Sequence, residues 1–165
     1  MSLGKIVLHR FNGDEEFEIQ EATIFSGYDY DGVGYLLYFE AKSNGVCTKS
    51  LPDTAEFPGW PSAQVEVALK AIEPENLVGR HFSVPHGYDE EVEDDVASFY
   101  YFEHEDLDNS ELEVLSQEGD VFHIRWTGTT VDVNFRDGSK PPTQVEIDGK
   151  FTFQDRAKSA RPPKQ

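Results

Sequence analysis

Apolar and polar residues alternate with period two along most of this chain, the spacing that puts every second side chain on one face of a β-strand. Val145, Ile147, Gly149, Phe151 and Phe153 alternate with Glu146, Asp148, Lys150 and Thr152, and Phe122, Ile124 and Trp126 alternate with His123 and Arg125. Val131, Val133 and Phe135 alternate with Asp132, Asn134 and Arg136 and predict another strand. Shorter runs at Ile6 to Leu8, at Phe17 and Ile19 with Thr23 to Phe25, and at Leu112 and Val114 read the same way, as does the aromatic run Phe99 to Phe102. Tyr35 to Ala41 is apolar on both faces, which predicts a central strand. Val65, Val67 and Leu69 favour a strand, although Pro61 would suit the first turn of a helix over 62–72.

Turn-forming pairs fall near the ends of these runs: Asn12-Gly13, Asp31-Gly32, Asn44-Gly45, Glu118-Gly119-Asp120 and Asp137-Gly138. Asp148-Gly149 lies inside a run, so its glycine marks a bulge or a close backbone approach. The stretch 131–142 reads as a hairpin whose long turn is stiffened by Pro141 and Pro142. Together the runs predict an all-β fold with little or no helix, an antiparallel sandwich of roughly nine strands. A closed barrel would show the same alternation and is the alternative.

A length of 165 residues fits one domain, expected over residues 1–154. Residues 155–165, with Arg156, Lys158, Arg161, Lys164 and Pro162-Pro163, form a basic tail with little to bury, expected to be disordered. Two long loops are expected, at 50–61 and 84–95.

Charge changes the picture most. The formal net charge is -18, and between Arg80 and Arg125 the chain carries 14 of its 32 acidic residues and neither Lys nor Arg. These acids are interleaved with aromatic and β-branched residues, so they are expected on folded strands. Such a field repels phosphate backbones and attracts basic partners, which argues against nucleic acid as a ligand. A solvated acidic surface that serves only solubility explains the same charge. The single Cys47 cannot form an intramolecular disulfide and is read as a small buried hydrophobe in a reducing, cytoplasmic compartment. No signal peptide and no apolar run of about 18 residues is visible, so no integral membrane association is expected. Phosphate-binding loops of the GxxxxGK[ST] or GxGxxG type are absent from the sequence, which excludes the common nucleotide enzymes.

Candidate chemistry is sparse. Asp106, Asp108 and Glu111, with Asn109 between them, have the oxygen density a Ca²⁺ loop uses but not the spacing of a helix-loop-helix site. The five histidines show no ligand spacing, and Cys47 has no visible base, so neither cofactor nor catalytic residue is expected. Phe57, Pro58, Trp60 and Pro61, and Tyr28 with Tyr30, could form aromatic recognition patches, whereas Trp60 is expected to cover one end of the sandwich. The expected function is a non-enzymatic protein-interaction module that binds a basic partner, an inhibitor or immunity-like protein being one form. Its contact residues are expected to be Asp89, Glu90, Glu91, Glu93, Asp94, Asp95, Tyr101, Glu103 and Glu105. The alternatives are a calcium- or metal-dependent sandwich that binds lipid or carbohydrate, and a small hydrolase or ligand-binding barrel. The oligomeric state is open.

Overall fold

The computed structural model describes residues 2–28, 34–55, 59–69 and 76–155. Asp31-Gly32, Tyr30, Phe57, Pro58 and the tail from 156 onward lie outside these residues. Twelve strands follow one another among the described residues: β1 (Gly4–Arg10), β2 (Gly13–Tyr28), β3 (Tyr35–Lys49), β4 (Ser62–Leu69), β5 (His81–Val84), β6 (Tyr88–Asp89), β7 (Asp94–Asp95), β8 (Ala97–Tyr101), β9 (Glu103–Asp106), β10 (Asp108–Glu118), β11 (Val121–Thr130) and β12 (Thr143–Asp155). Ten of them form one sheet in the order β5-β10-β11-β12-β1-β2-β3-β4-β8-β9, and β6 and β7 form a separate hairpin.

The sheet is open, with β5 and β9 at its edges, so the barrel alternative does not hold. It folds back on itself to give a sandwich-like all-β fold. Phe39 on β3 meets Phe82 on β5 with ring centroids 6.1 Å apart and Phe151 on β12 at 6.4 Å, while Phe17 on β2 meets Tyr101 on β8 at 5.6 Å. The inner face is the apolar half of each alternating run: Ile6 and Leu8, Phe17 and Ile19, Phe122, Ile124 and Trp126, Val145, Ile147 and Phe151 are all buried. Removing each of these larger side chains from water contributes about 1.5–3 kcal/mol. β3 lies between β2 and β4, as its two apolar faces require.

Pairing is antiparallel except where Thr152–Asp155 of β12 run parallel to Thr23–Ser26 of β2. β1 separates these strands until Gly4, which pairs with Gly149. A Cβ on Gly4 would fall 2.1 Å from the Asp148 carbonyl oxygen, and one on Gly149 would fall 2.9 Å from Ile19 Cδ1. This is the close approach that Gly149 marks in the sequence, and it lets β12 and β2 meet once β1 has ended.

Four expectations are corrected. The run Val131 to Phe135 is not a strand: β11 ends at Thr130, and the Asp132 carboxylate accepts the backbone N–H groups of Asn134 and Phe135, which turns the chain. Asn44-Gly45 sits within β3, whose pairing with β2 contains several register shifts, so the extra residues are absorbed as bulges. Cys47 is exposed, its thiol donating to the Lys49 carbonyl. Trp60 is 63% exposed rather than packed over one end of the sandwich.

Candidate functional site

The acidic segment folds into a hairpin laid over the end of the sheet. Asp89 accepts the N–H groups of Glu91 and Val92, closing the β6–β7 turn. Val96 and Ala97 N–H groups both donate to the Gly87 carbonyl, the Glu66 N–H donates to Val96, and the Gly87 N–H donates to an Asp108 carboxylate oxygen at 2.8 Å. Gly87 is required by space: a Cβ there would fall 2.7 Å from both the Ala97 carbonyl oxygen and the Leu107 nitrogen. Backbone contacts therefore hold the hairpin down.

Its carboxylates are brought against others by that docking. Val84, Pro85, His86, Tyr88, Asp89, Glu90, Glu91, Val96, Asp106 and Asp108 line an open groove of about 680 Å³, with no Lys or Arg among the described residues of its walls. The Asp106 carboxyl is pushed above its ordinary value by burial, by the charge of Asp95 and a hydrogen bond shared with it, and by Asp108 and Glu105. On the other flank, burial and Asp94 push Glu66 up. Both shifts follow from burial first and from neighbouring like charges second.

The expected contact residues divide into three groups. Asp89, Glu90, Glu91, Glu93, Asp94 and Asp95 lie together on the hairpin, and all but the half-buried Asp89 are exposed. Glu103 and Glu105 on β9 meet the Arg136 guanidinium, Nε to Glu103 at 3.2 Å and Nη1 to Glu105 at 3.0 Å. The absence of cations from 81 to 124 thus does not carry over into space. Tyr101 is 2% exposed and packs on Phe17, so it offers nothing to a partner; Tyr100 takes the outward position on β8 and stacks on His104 at 4.8 Å. Of the three metal candidates, Asp106 and Asp108 border the groove, whereas Glu111 lies on the outer face of β10 and meets His81 and Ser83. The trio is split, and among the described residues no three His, Cys, Asp or Glu side chains are placed to share a metal ion.

A different carboxylate cluster lies inside the fold. Arg10 has a side chain with no exposure and uses every guanidinium donor: Nε and Nη2 to Asp132 at 2.9 Å each, Nη1 and Nη2 to Asp53 at 2.9 and 2.8 Å, and Nη1 to Glu15 at 3.1 Å. Thr54 donates to Glu15, Thr143 to Asp132, and Asn12 and Asn134 to Asp53. Arg10 is the main cause that holds Asp53 well below the carboxylate range. Burial raises Asp132, but Arg10, the Asn134 N–H and Thr143 outweigh it and bring the carboxyl down. The cluster ties β1, β2, the β3–β4 loop and the β11–β12 connection into one knot.

No family model matches the chain, and no curated protein and no solved structure is similar to it.

Part of the remaining charge sits on the outer face of one half of the sheet in balanced rows. Reading across six strands, His81 pairs with Glu113, Glu113 with Arg125, Arg125 with Asp148, Asp148 with Lys5 and Lys5 with Glu18. Opposite charges facing one another across strands contribute roughly 0.2–1 kcal/mol per pair. His9 bridges the same face, Nδ1 to Asp14 at 2.8 Å and Nε2 to Glu146 at 3.0 Å. A second groove, of about 750 Å³, is lined by Phe25, Leu36 and Tyr38 with Glu40 and Lys42, and there too the cation is matched, Lys42 to Glu40 at 3.2 Å.

Proposed function

We propose that the protein is a non-enzymatic interaction module whose β6–β7 hairpin and the groove beneath it receive a basic protein segment. The observation that carries this reading is the clustering of Asp95, Asp106 and Asp108 with Asp89, Glu90 and Glu91 around a groove that no Lys or Arg lines among the described residues, while other acids, such as Glu40, Glu105 and Asp148, meet a cation. A partner's Lys or Arg would relieve the repulsion that the fold leaves standing, and the overall charge of -18 would steer it in. An inhibitor that masks a basic surface is one form such a module takes.

The test separates this surface from net charge alone. Binding of a fluorescent nona-lysine peptide is measured by anisotropy at low and high salt for two triple variants with equal charge change. One is Asp89→Asn/Glu90→Gln/Glu91→Gln on the hairpin; the other is Glu18→Gln/Glu113→Gln/Asp148→Asn in the balanced rows. The hairpin triple is expected to weaken binding about 10-fold at low salt and the other less than about 3-fold, both effects shrinking as salt screens them. Equal losses from the two variants would remove the reading.

A further inference from the structure

Five aromatic side chains lie exposed among the described residues; Tyr88 borders the groove, and the other four sit at two places, of which only one has a cation over its rings. Phe11 and Phe135 stack edge to face at 5.7 Å, and Lys140 Nζ sits over both rings, at 5.1 and 5.5 Å. Trp60 and Phe102 are more exposed, at 63% and 49%, yet among the described residues no Lys or Arg lies over either ring.

Their backbone is unusual too. Trp60 has φ 51° and Phe102 has φ 67°, the left-handed region that bulky side chains avoid. Both lie two residues beyond Ser62 and Tyr100, the last pair joining β4 and β8, so the two strands part at the same level. Phe102 is the single residue that connects Tyr101 to Glu103 at the β8–β9 reversal. The 59–60 segment rests on it, a Cβ on Gly59 falling 2.6 Å from the Phe102 ring. Glycine would serve both turns without strain, and two aromatic rings held in water instead are costly twice over.

The charge beside them indicates what covers them. Glu103 follows Phe102 directly, with a side chain 66% exposed, and Glu105 follows on β9. This corner already takes one guanidinium, since Arg136 meets both carboxylates and the Tyr101 carbonyl, but that is one cation for two acids. We infer that Trp60 and Phe102 anchor the basic partner of the proposed module by taking an arginine side chain of that partner over their rings, with Glu103 at the guanidinium edge. This rests on the acidic surface being a docking site. An aromatic face and a carboxylate together select arginine over lysine, because the planar guanidinium both stacks and bonds in its plane.

Trp60 reports on the event, since Trp126 is fully buried and bonded to Ser110 while Trp60 faces solvent. Nona-arginine and nona-lysine peptides are titrated against the full chain at low salt, following tryptophan emission, iodide quenching and peptide anisotropy. Nona-arginine is expected to bind about 3-fold to 5-fold tighter than nona-lysine and to shield Trp60 from iodide. Phe102→Gly and Trp60→Gly, which suit the left-handed backbone, are each expected to lose that preference while unfolding within about 3 °C of the parent. Three outcomes overturn the inference alone: nona-arginine binding with Trp60 still open to iodide, both glycine variants keeping the arginine preference, or both unfolding well below the parent, which would make the rings packing residues. Failure of both peptides to bind would overturn the docking surface itself and the anchor with it.

Discussion

Carboxylates converge at two places in this molecule, with opposite results. Around Arg10, three of them share one fully used guanidinium, and the carboxyls of Asp53 and Asp132 are held below their ordinary range. Under the β6–β7 hairpin, Asp106 faces Asp95 and Asp108 with no Lys or Arg among the described residues lining the groove, and burial together with these like charges pushes its carboxyl up. The first cluster is closed by the fold; the second is held in place by backbone hydrogen bonds in spite of its charge. The acids that hold the fold together are therefore separate from those we propose for recognition.

Removing the cation from the closed cluster gives the largest effect. Arg10→Met leaves Glu15, Asp53 and Asp132 facing one another with two of them buried, and is expected to cost about 3–5 kcal/mol in urea unfolding. Adding Asp53→Asn and Asp132→Asn to that variant should recover a large part of the loss, because the repulsion goes with the charges. A loss below about 1 kcal/mol would mean the cluster does not hold the four segments together.

The two clusters also respond to acid in opposite directions. Asp53 and Asp132 have folded values below the unfolded carboxylate value of about 3.9, so their contribution is present above that pH and is lost as pH falls through the depressed folded values. Asp106 and Glu66 are raised, so the folded chain binds those protons more readily than the unfolded chain. Their penalty stands at neutral pH and is relieved as pH falls through the raised values. Urea midpoints measured from pH 7 downward should rise slightly at first and then fall steeply below about pH 4. Arg10→Met should flatten the steep limb and leave the shallow rise in place. A steep limb unchanged in that variant would assign acid unfolding to other groups.

Much of the closed cluster is legible in the sequence. The step of two that places Ile6 and Leu8 inside also places Arg10 inside, and the step that places Phe17 and Ile19 inside places Glu15 there. A charge at an inward position predicts a buried partner. The partners themselves could not be read: Asp53 is 43 residues from Arg10 and Asp132 is 122 away, both in irregular segments. Asp132 caused an error as well, since the apparent alternation from Val131 to Phe135 reflects a carboxylate turned inward to cap a bend. In the acidic segment the density of charge was plain, but not its compensation, because Arg136 reaches Glu105 from 31 positions further along. Tyr101, expected at the contact surface, takes the inner position and Tyr100 the outer, a choice the period of two leaves open.

The smallest effect is the sharpest test of the open cluster. Asp106→Asn removes the charge at the centre of the groove while keeping a side chain of the same shape. If the like charges around it strain the folded state, the variant should be more stable than the parent at pH 7, by a few tenths of a kcal/mol, solvent screening at this exposed position keeping the gain small. The gain should fade as pH drops through the raised value of the parent carboxyl, which then takes up its proton, and should shrink in high salt. The same variant should bind nona-lysine more weakly at pH 7. A substitution that stabilises the free protein while weakening its complex marks a charge kept for the partner, whereas a variant that loses stability would place Asp106 among the acids the fold itself needs.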